Sequence, residues 1–569
     1  MAQSSVADRV SLARLIAGAG WGRMRRTLSW PFRSLANLHV RAPERLVIAP
    51  QDIRTADPTV AADIYAGYYS FSGKVVNTHG ASPFELVPPS PLWAASLESF
   101  GWLRHLRAAD TALARENARV LVDDWITQCG RAGDEVGWEP RVAARRLLAW
   151  VSQSPLILDR ADRPFYRRFM RSLGLHAAVL QQALNEGLEG ENRLLVCLAL
   201  AQLGLCCEGL PKLQRRATRW LADELGRQVL GDGGHLGRNP QVLVDLLLDL
   251  LPLRQAYAVR GVDAPPQILN SIDRILPMLR MFRLGDGSLA LFNGMGATAP
   301  HVLATLLAHD DARAAAQMNA PYSGYQRIEA EELVLVMDAG ACPQPEFSDK
   351  AHAGCLSFEL TTGIQKLIVN CGAPDELRAG MRDAARATAA HSTLTIADTS
   401  SCRFATGPGF NRWLEGRIVA GPQSVAVTRK EDQEGIRLEA RHDGYARRFG
   451  LLHERILLVS PDGSWIEGQD ALLAAPQRVP GTGAVEYAVR FHLHPLVQAI
   501  RSEDETAVQL LLPDGSAWLF RADGSAISIE ESIYFAAPEG IRGSEQLVIH
   551  ANLRDQAAVH WLLERLPQA

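Results

Sequence analysis

The chain has 569 residues, 47% hydrophobic, 21% charged and 7% aromatic, enough to bury a large core; disorder, collagen-like repeats and small disulfide scaffolds are excluded. Lys and Arg number 59 against 63 Asp and Glu, a net charge of -4, too balanced for a protein that coats nucleic acid. At roughly 150 residues per domain the length allows three or four units, and two large domains fit better, since toroids and β-sandwiches often exceed about 200 residues.

Residues 1–45 hold eight arginines against Asp8 and Glu44, interleaved with Trp21, Trp30 and Phe32. Such a basic amphipathic stretch suits peripheral contact with an anionic membrane surface, and equally a terminal helix packed on its own protein. The apolar run Leu15–Gly20 leads directly into Trp21, Arg23, Arg25 and Arg26 without a small-residue cleavage site. No export signal is read, which gives a cytoplasmic location with the periplasm as alternative. Residues 46–89 read as an irregular extension, broken by Pro50, Asp57-Pro58, Ser82-Pro83 and Pro88-Pro89. Tyr65, Tyr68, Tyr69 and Phe71 form an aromatic cluster there that either closes the core or covers a groove.

From Leu92 the segments 92–108, 111–129, 139–153, 163–185, 191–207, 211–229, 240–259, 265–282 and 298–317 place apolar residues three and four apart, with Pro, Gly or Asp at the joints. Consecutive helices with short links predict helical hairpins. Leu97, Trp102, Trp125, Trp150 and Trp220 lie on apolar stripes and read as core. The run Leu194–Cys207 is 14 residues long with Gln202 inside it, short of the roughly 20 that span a bilayer, and reads as a buried helix. The eight cysteines include the adjacent pair Cys206 and Cys207 and form no C-x-x-C, which predicts reduced, mostly buried thiols.

Near residue 325 the apolar period changes from 3.6 to 2. Glu332–Met337, Leu356–Leu360 and Lys366–Asn370 read as strands, and turn pairs such as Asp443-Gly444, Asp462-Gly463, Asp514-Gly515 and Asp523-Gly524 punctuate the remainder. A helical half followed by a strand half predicts an α+β chain of segregated domains: residues 1–89 as N-terminal segment, 90–325 helical, 326–569 antiparallel sheet.

Several motifs follow one another in order: Gly190-Glu-Asn192-Arg193-Leu-Leu, Asp232-Gly-Gly-His235 with Arg238-Asn239-Pro240, and Gly285-Asp-Gly with Leu291-Phe-Asn-Gly294. In the β half come His352-Ala-Gly-Cys-Leu-Ser-Phe-Glu359, Ala390-His391-Ser-Thr-Leu, Gly444-Tyr445 with His453-Glu-Arg455, and Phe491-His-Leu-His494-Pro. From about residue 90 to the end, the chain resembles the heparinase II/III-like polysaccharide lyases. The resemblance implies an N-terminal (α/α) toroid, a C-terminal antiparallel β-sandwich, and an anionic polysaccharide or oligosaccharide held between them. It implies β-elimination of a uronic-acid-containing polysaccharide, with no cofactor.

That chemistry dictates the side chains. Removing the proton α to the C6 carboxylate loads charge onto that group, so neutral or cationic donors must face it. Asn192 matches the family's carboxylate-binding Asn, and Arg193 stands where members often carry a His; a helix cap is the competing reading for Glu191 and Asn192. A base must take the C5 proton and an acid must protonate the departing O4. His352 matches the family's β-domain histidine for that work, while His235, Arg238 and His391 would line the cleft.

Two departures follow. The family's Arg-Ser-Pro-like motif is closely followed by a catalytic Tyr, whereas Arg238-Asn-Pro240 leads to Gln241, Val242 and Leu243. Tyr445 is the candidate replacement acid; Tyr257 is a second that reads as core. The family's His-x-His-x-Asp pattern is reduced to Lys350-Ala-His352-Ala-Gly354, so no metal is expected, although His391, His442 and His453 are the residues that could have supplied ligands. Gly231–Gly234 lacks the strand before it and the Lys after it that a phosphate loop needs, and reads as a turn. A hydrolase would need two carboxylates across the cleft, and no such pair stands out. The rival is a non-catalytic glycan-binding or polysaccharide-handling protein that kept the scaffold and lost the tyrosine.

Overall fold

The computed structural model describes residues 41–567 apart from 134, 310–314, 375–378, 406–413, 415, 477–484 and 504–505, with a few helical positions before 41. The arginines and aromatic residues on which the membrane-contact reading rests lie, before residue 41, outside the described residues. Arg45 pairs with Glu208 at 2.6 Å. No helix among the described residues is long and apolar enough to cross a membrane.

Helices start where the sequence supplies caps. The side chains of Ser90, Thr111, Asp162 and Asn239 accept hydrogen bonds from the backbone amides of Trp93, Ala114, Phe165 and Gln241, and prolines occupy the first turn at Pro91, Pro164 and Pro240. The helices Ala112–Gln128, Pro140–Ser152, Arg163–Asn185, Gly190–Cys206, Pro211–Gln228, Pro240–Val259 and Pro266–Phe282 follow the expected segments closely. Replacing Asn239 by alanine is expected to lower stability by about 1 kcal/mol in urea unfolding, the usual effect of losing a cap; an unchanged midpoint would dismiss that role.

Segment 92–108 divides into Pro91–Glu98 and Leu103–Ala109. Phe100 takes a left-handed conformation between them (φ +57°) and buries its ring against Trp102, Trp125 and Trp150. Packing overrides the helical period there. Leu97, Trp102, Trp125 and Trp150 are buried, whereas Trp220 is half-buried beneath Arg216. In the last segment, of which 310–314 lie outside the described residues, the described helix is Pro300–Ala308. The extension is more regular than read: it holds the helix Thr59–Tyr65 and the hairpin Tyr68–Phe71 with Lys74–Asn77. Tyr69 is buried beside Trp102 and Phe71 packs on Trp93, so these two members of the aromatic cluster close the core, whereas Tyr68 is exposed and Tyr65 half-buried. A two-residue strand, Cys207–Glu208, interrupts the helical half and pairs with Arg45–Leu46.

The β half is a sandwich of two antiparallel sheets. One runs Ile527–Tyr534, Arg542–Asn552, Glu486–Leu493, Gln365–Val369, Phe358–Thr362, Leu333–Asp338, Tyr325–Ala330, Asn319–Ala320, with Leu394–Ile396 also paired to Glu486–Leu493. The other runs Val425–Asp432, Gly435–His442, Leu451–Val459, Trp465–Ala474, Ala558–Arg565, Ala517–Ala522, Ala507–Leu511, Gln498–Arg501. Strand Leu451–Val459 alternates buried and half-buried residues, as a one-sided sheet requires.

The first sheet is covered on both faces. Leu335 and Met337 belong to the core between the sheets, whereas Val336, Val369 and Tyr534 join the core of the helical domain. Strand Phe358–Thr362 is consequently buried at every position. Glu191 meets Lys350 and Arg238 meets Asp338 across this seam between helices and sheet.

Candidate functional site

On the helical side, Gly190 opens the helix Gly190–Cys206 at φ +66°, and a Cβ there would lie 2.5 Å from the carbonyl oxygen of Glu346. This close approach brings the helix start against the segment that leads to His352. Glu191 Oε2 meets Lys350 Nζ at 2.8 Å. Burial pushes the Glu191 carboxyl up, but the Lys350 ammonium and His235 outweigh it and hold the group below its ordinary range. The residue preceding Asn192 is thus tied to the residue two before His352.

Asn192 is not a cap. The cap position is Glu189, without a side-chain hydrogen bond. Among the described residues no group hydrogen-bonds the Asn192 amide, which opens onto a small cavity with Arg141, Arg145, Glu191, His235 and Asp245.

On the sheet side, His391 Nδ1 lies 2.8 Å from the carbonyl oxygen of Ala387, and its Nε2 lies 3.0 Å from His352 Nδ1. A carbonyl only accepts, so His391 carries its proton on Nδ1 and accepts from His352 Nδ1–H. This order leaves the His352 Nε2 lone pair free, and no described residue bonds to it. Burial pushes the His391 imidazole down to about 4. Burial, then His391, Arg386 and Arg382, push His352 well below its ordinary value. Both rings are therefore neutral at pH 7, and His352 is a positioned but weak base.

The loop around His352 is fixed from both domains. Its backbone N–H donates to Asn293 Oδ1 at 3.2 Å, and Asn293 Nδ2 donates to Tyr325 Oη and Asp338 Oδ2. Arg386 donates to the carbonyls of Ala351 and Ser348. A Cβ on Gly354 would lie 2.6 Å from the His391 ring, so no larger residue fits there unless the ring moves. Among the described residues no three His, Cys, Asp or Glu side chains converge as a metal site.

Four of the expected site residues are engaged elsewhere. Arg193 Nε donates to Glu224 Oε1 at 2.6 Å, which holds its guanidinium against the next helix instead of a substrate carboxylate. His235 is buried, with Nδ1 accepting from Gly237 N–H and Nε2 donating to Gln228 Oε1; it borders the cavity with both ring nitrogens occupied. Arg238 is buried in an ion pair with Asp338 and donates to the carbonyls of Ser323, Gly340 and Ala341. It locks the helical half to the sheet and lines no cleft.

Tyr445 is buried between the sheets and donates to the carbonyl oxygen of Leu394 at 2.8 Å. Burial pushes its phenol far up, so it is no replacement acid. Tyr445→Phe is expected to lower stability by about 1 kcal/mol through the lost hydrogen bond and to leave glycan turnover and affinity unchanged; a change in either would return it to the site. Tyr257 is core, bonded to Thr218. His442 and His453 belong to a sealed network in which His453 and Arg455 share Asp470. At the position of the missing tyrosine, Gln241 bonds Asp245, and Val242 and Leu243 are buried.

Lys350, Asn293 and Arg386, which position the histidine loop, were not singled out from sequence. Asn293 lay within the quoted Leu291-Phe-Asn-Gly294 stretch and Lys350 within Lys350-Ala-His352-Ala-Gly354, where it stood only for a lost His; Arg386 carried no local signal.

A helical domain set against an antiparallel sandwich is the architecture of the heparinase III-like fold. Residues 312–562 match the family model described as "Heparinase II/III-like, C-terminal". The chain is 32% identical over 539 residues to FtsZ-localized protein C of Caulobacter vibrioides (strain NA1000 / CB15N), covering 92% of this chain and 91% of that protein. Among solved structures it is similar to Heparinase III (TM-score 0.72, 13% identity, 93% of this chain and 88% of that one). It is likewise similar to heparan sulfate lyase HepC from Pedobacter heparinus (TM-score 0.62, 14% identity, 98% and 90%). The chain belongs to the heparinase II/III-like family.

Proposed function

We propose that this protein holds an anionic, carboxylate-bearing glycan at the seam between its domains without turning it over as an efficient lyase. One observation carries the reading: none of the ten tyrosines lines the cavity at Asn192, so the departing O4 has no positioned phenol to protonate it. Asn192, with a free amide beside Arg141, would hold the carboxylate, since Arg145, on the same cavity, is tied to Asp249 at 2.6 Å. The test is incubation of the full chain with heparan sulfate, chondroitin sulfate, hyaluronan and alginate, following the ultraviolet absorbance of unsaturated product and, by calorimetry, binding. Saturable binding without product is expected, weakened about tenfold in Asn192→Ala by loss of a hydrogen bond to a charged group. Product formed at hundreds of turnovers per minute would overturn the proposal.

The second reading, β-elimination, is favoured by the free Nε2 of His352, which is fixed in its basic form. It requires that His352→Ala lower kcat by about 10² or more, as for removal of a proton-transfer group; equal turnover would exclude His352 as base. The name of the Caulobacter relative carries a further part of the proposal, a position at FtsZ assemblies. A fluorescent fusion in Caulobacter cells with labelled FtsZ should coincide with it, and a uniform signal would remove that part.

A further inference from the structure

A second cavity, of about 580 Å3, shares no lining residue with the pocket at Asn192 and contains neither His352 nor His391. One wall is the loop after helix Pro266–Phe282 together with helix Pro300–Ala308. The other is formed where the strands Gln365–Val369, Glu486–Leu493 and Ile527–Tyr534 begin or end. We infer that this cavity binds a small amphipathic anion, a carboxylate or phosphate group carried on an aliphatic body. The inference does not depend on the glycan reading.

The anion end is built around Lys366. Its side chain is only 8% exposed, yet its nearest polar groups, Tyr534 Oη and Asp286 Oδ2, both stand at 3.4 Å, beyond a strong charge-assisted contact. A buried ammonium has three protons to place, and these two long contacts leave room for a closer acceptor. His494 stacks edge-on against Tyr534 at 5.2 Å, and its Nδ1 accepts from the backbone N–H of Leu496. The neutral ring therefore carries its proton on Nε2, a further donor; burial, then Lys366, push its titration down to about 4, so this form holds at pH 7. Arg283 and Arg542 complete the lining. Asp286 and Glu539 balance two of the three cations, and Asp286 is itself held back by Ser288 N–H and Oγ. Lys366 faces Asp286 and Arg542 faces Glu539, so the cation left over in the lining is Arg283, which is solvent-exposed, while the Glu359 carboxyl, raised by burial to about 7, also acts on Lys366.

The body of the ligand follows from the opposite wall, where Leu289, Leu291, Leu303, Ala304 and Leu307 face the space. Tyr534 and the His494 imidazole, engaged edge-on with each other, are the aromatic rings in the lining, so a sugar finds little stacking surface, whereas an alkyl chain buries its methylenes against leucines. The volume falls within the roughly 300–1,000 Å3 of small-molecule sites.

The test is calorimetric titration of the full chain at pH 7 with decanoate, decyl phosphate, decanol and a glucuronate-containing disaccharide. Decanoate or decyl phosphate is expected to bind one to one, at least tenfold tighter than decanol, and the tighter of the two identifies the oxyanion. Lys366→Met should weaken that ligand at least tenfold, and Leu307→Trp, which fills the cavity, should abolish binding. Decanol binding as tightly as the anions, the disaccharide displacing them, no binding by either anion, or binding unchanged in Leu307→Trp would each overturn the inference. Should Lys366→Met fail to fold by circular dichroism, Arg283→Ala with Leu307→Trp decides: loss in the latter with at least a threefold weakening in the former supports it, and no change in either overturns it.

Discussion

Arg238→Ala is expected to destabilise the protein by about 3–5 kcal/mol, the usual consequence of removing one partner from a buried ion pair. The side chains of Arg238 and Asp338 are 8% and 3% exposed and meet at 2.5 Å. Truncation would leave the Asp338 carboxylate buried with Asn293 and the Gly340 amide as its remaining donors, and would strip donors from the carbonyls of Ser323, Gly340 and Ala341. The backbone carbonyl of Arg238 also accepts from Tyr325 at 2.6 Å, and the Tyr325 ring lies beneath the guanidinium. Because Arg238 comes from the helical half and Asp338 from the sheet, the loss falls on the junction itself. Urea unfolding followed by tryptophan fluorescence measures it, and a midpoint within error of the parent would refute the assignment. The double change Arg238→Met with Asp338→Leu should recover part of the loss, since no lone charge is then left buried.

The same pair explains what the sequence could and could not disclose. Helices were legible because their signals are local: Ser90, Thr111, Asp162 and Asn239 sit where caps belong, and the apolar stripes repeat at 3.6. The hairpin at 68–77 escaped although its turn, Ser72-Gly73, has both residues at positive φ, the geometry of a two-residue hairpin loop. Its strands are only four residues each, and the adjacent valines Val75 and Val76 give no apolar alternation. Functional assignment failed where it depended on partners far along the chain. A motif arginine and a clamp arginine look alike in sequence, and Arg238 is decided by Asp338, one hundred residues later. Tyr445 is decided by the carbonyl of Leu394, which no side-chain pattern announces. His352 and His391 were each visible as motif residues; their relay, set by contact across 39 residues, was not.

Lowering the pH from 7 towards 4 is expected to unfold the protein with a midpoint between about 4 and 6, driven by histidines folded in neutral form. His235 and His391 are at most 1% exposed and His492 2%, and burial pushes them to about 4, about 4 and about 3. Their unfolded value is about 6.5. A folded value below the unfolded one means that the unfolded chain binds protons the native state refuses, so stability is intact above about 6.5 and lost as the pH falls. Each such histidine removes about 1.4 kcal/mol per pH unit, and three remove about 4, against a total stability of about 5–15 kcal/mol. His352 and His442, also held down by burial, act in the same direction. Glu359 opposes them: burial raises its carboxyl to about 7, so between that value and about 4.3 the native state binds the extra proton and gains stability as the pH falls. One such group offsets one histidine and leaves the sign unchanged. Circular dichroism against pH, with urea midpoints at pH 7, 6 and 5, measures the slope, which His492→Gln should reduce by about 1.4 kcal/mol per unit. A stability that stays level from pH 7 to 5 would mean that these rings take up protons within the folded chain, and the neutral His352–His391 relay would fail with the prediction.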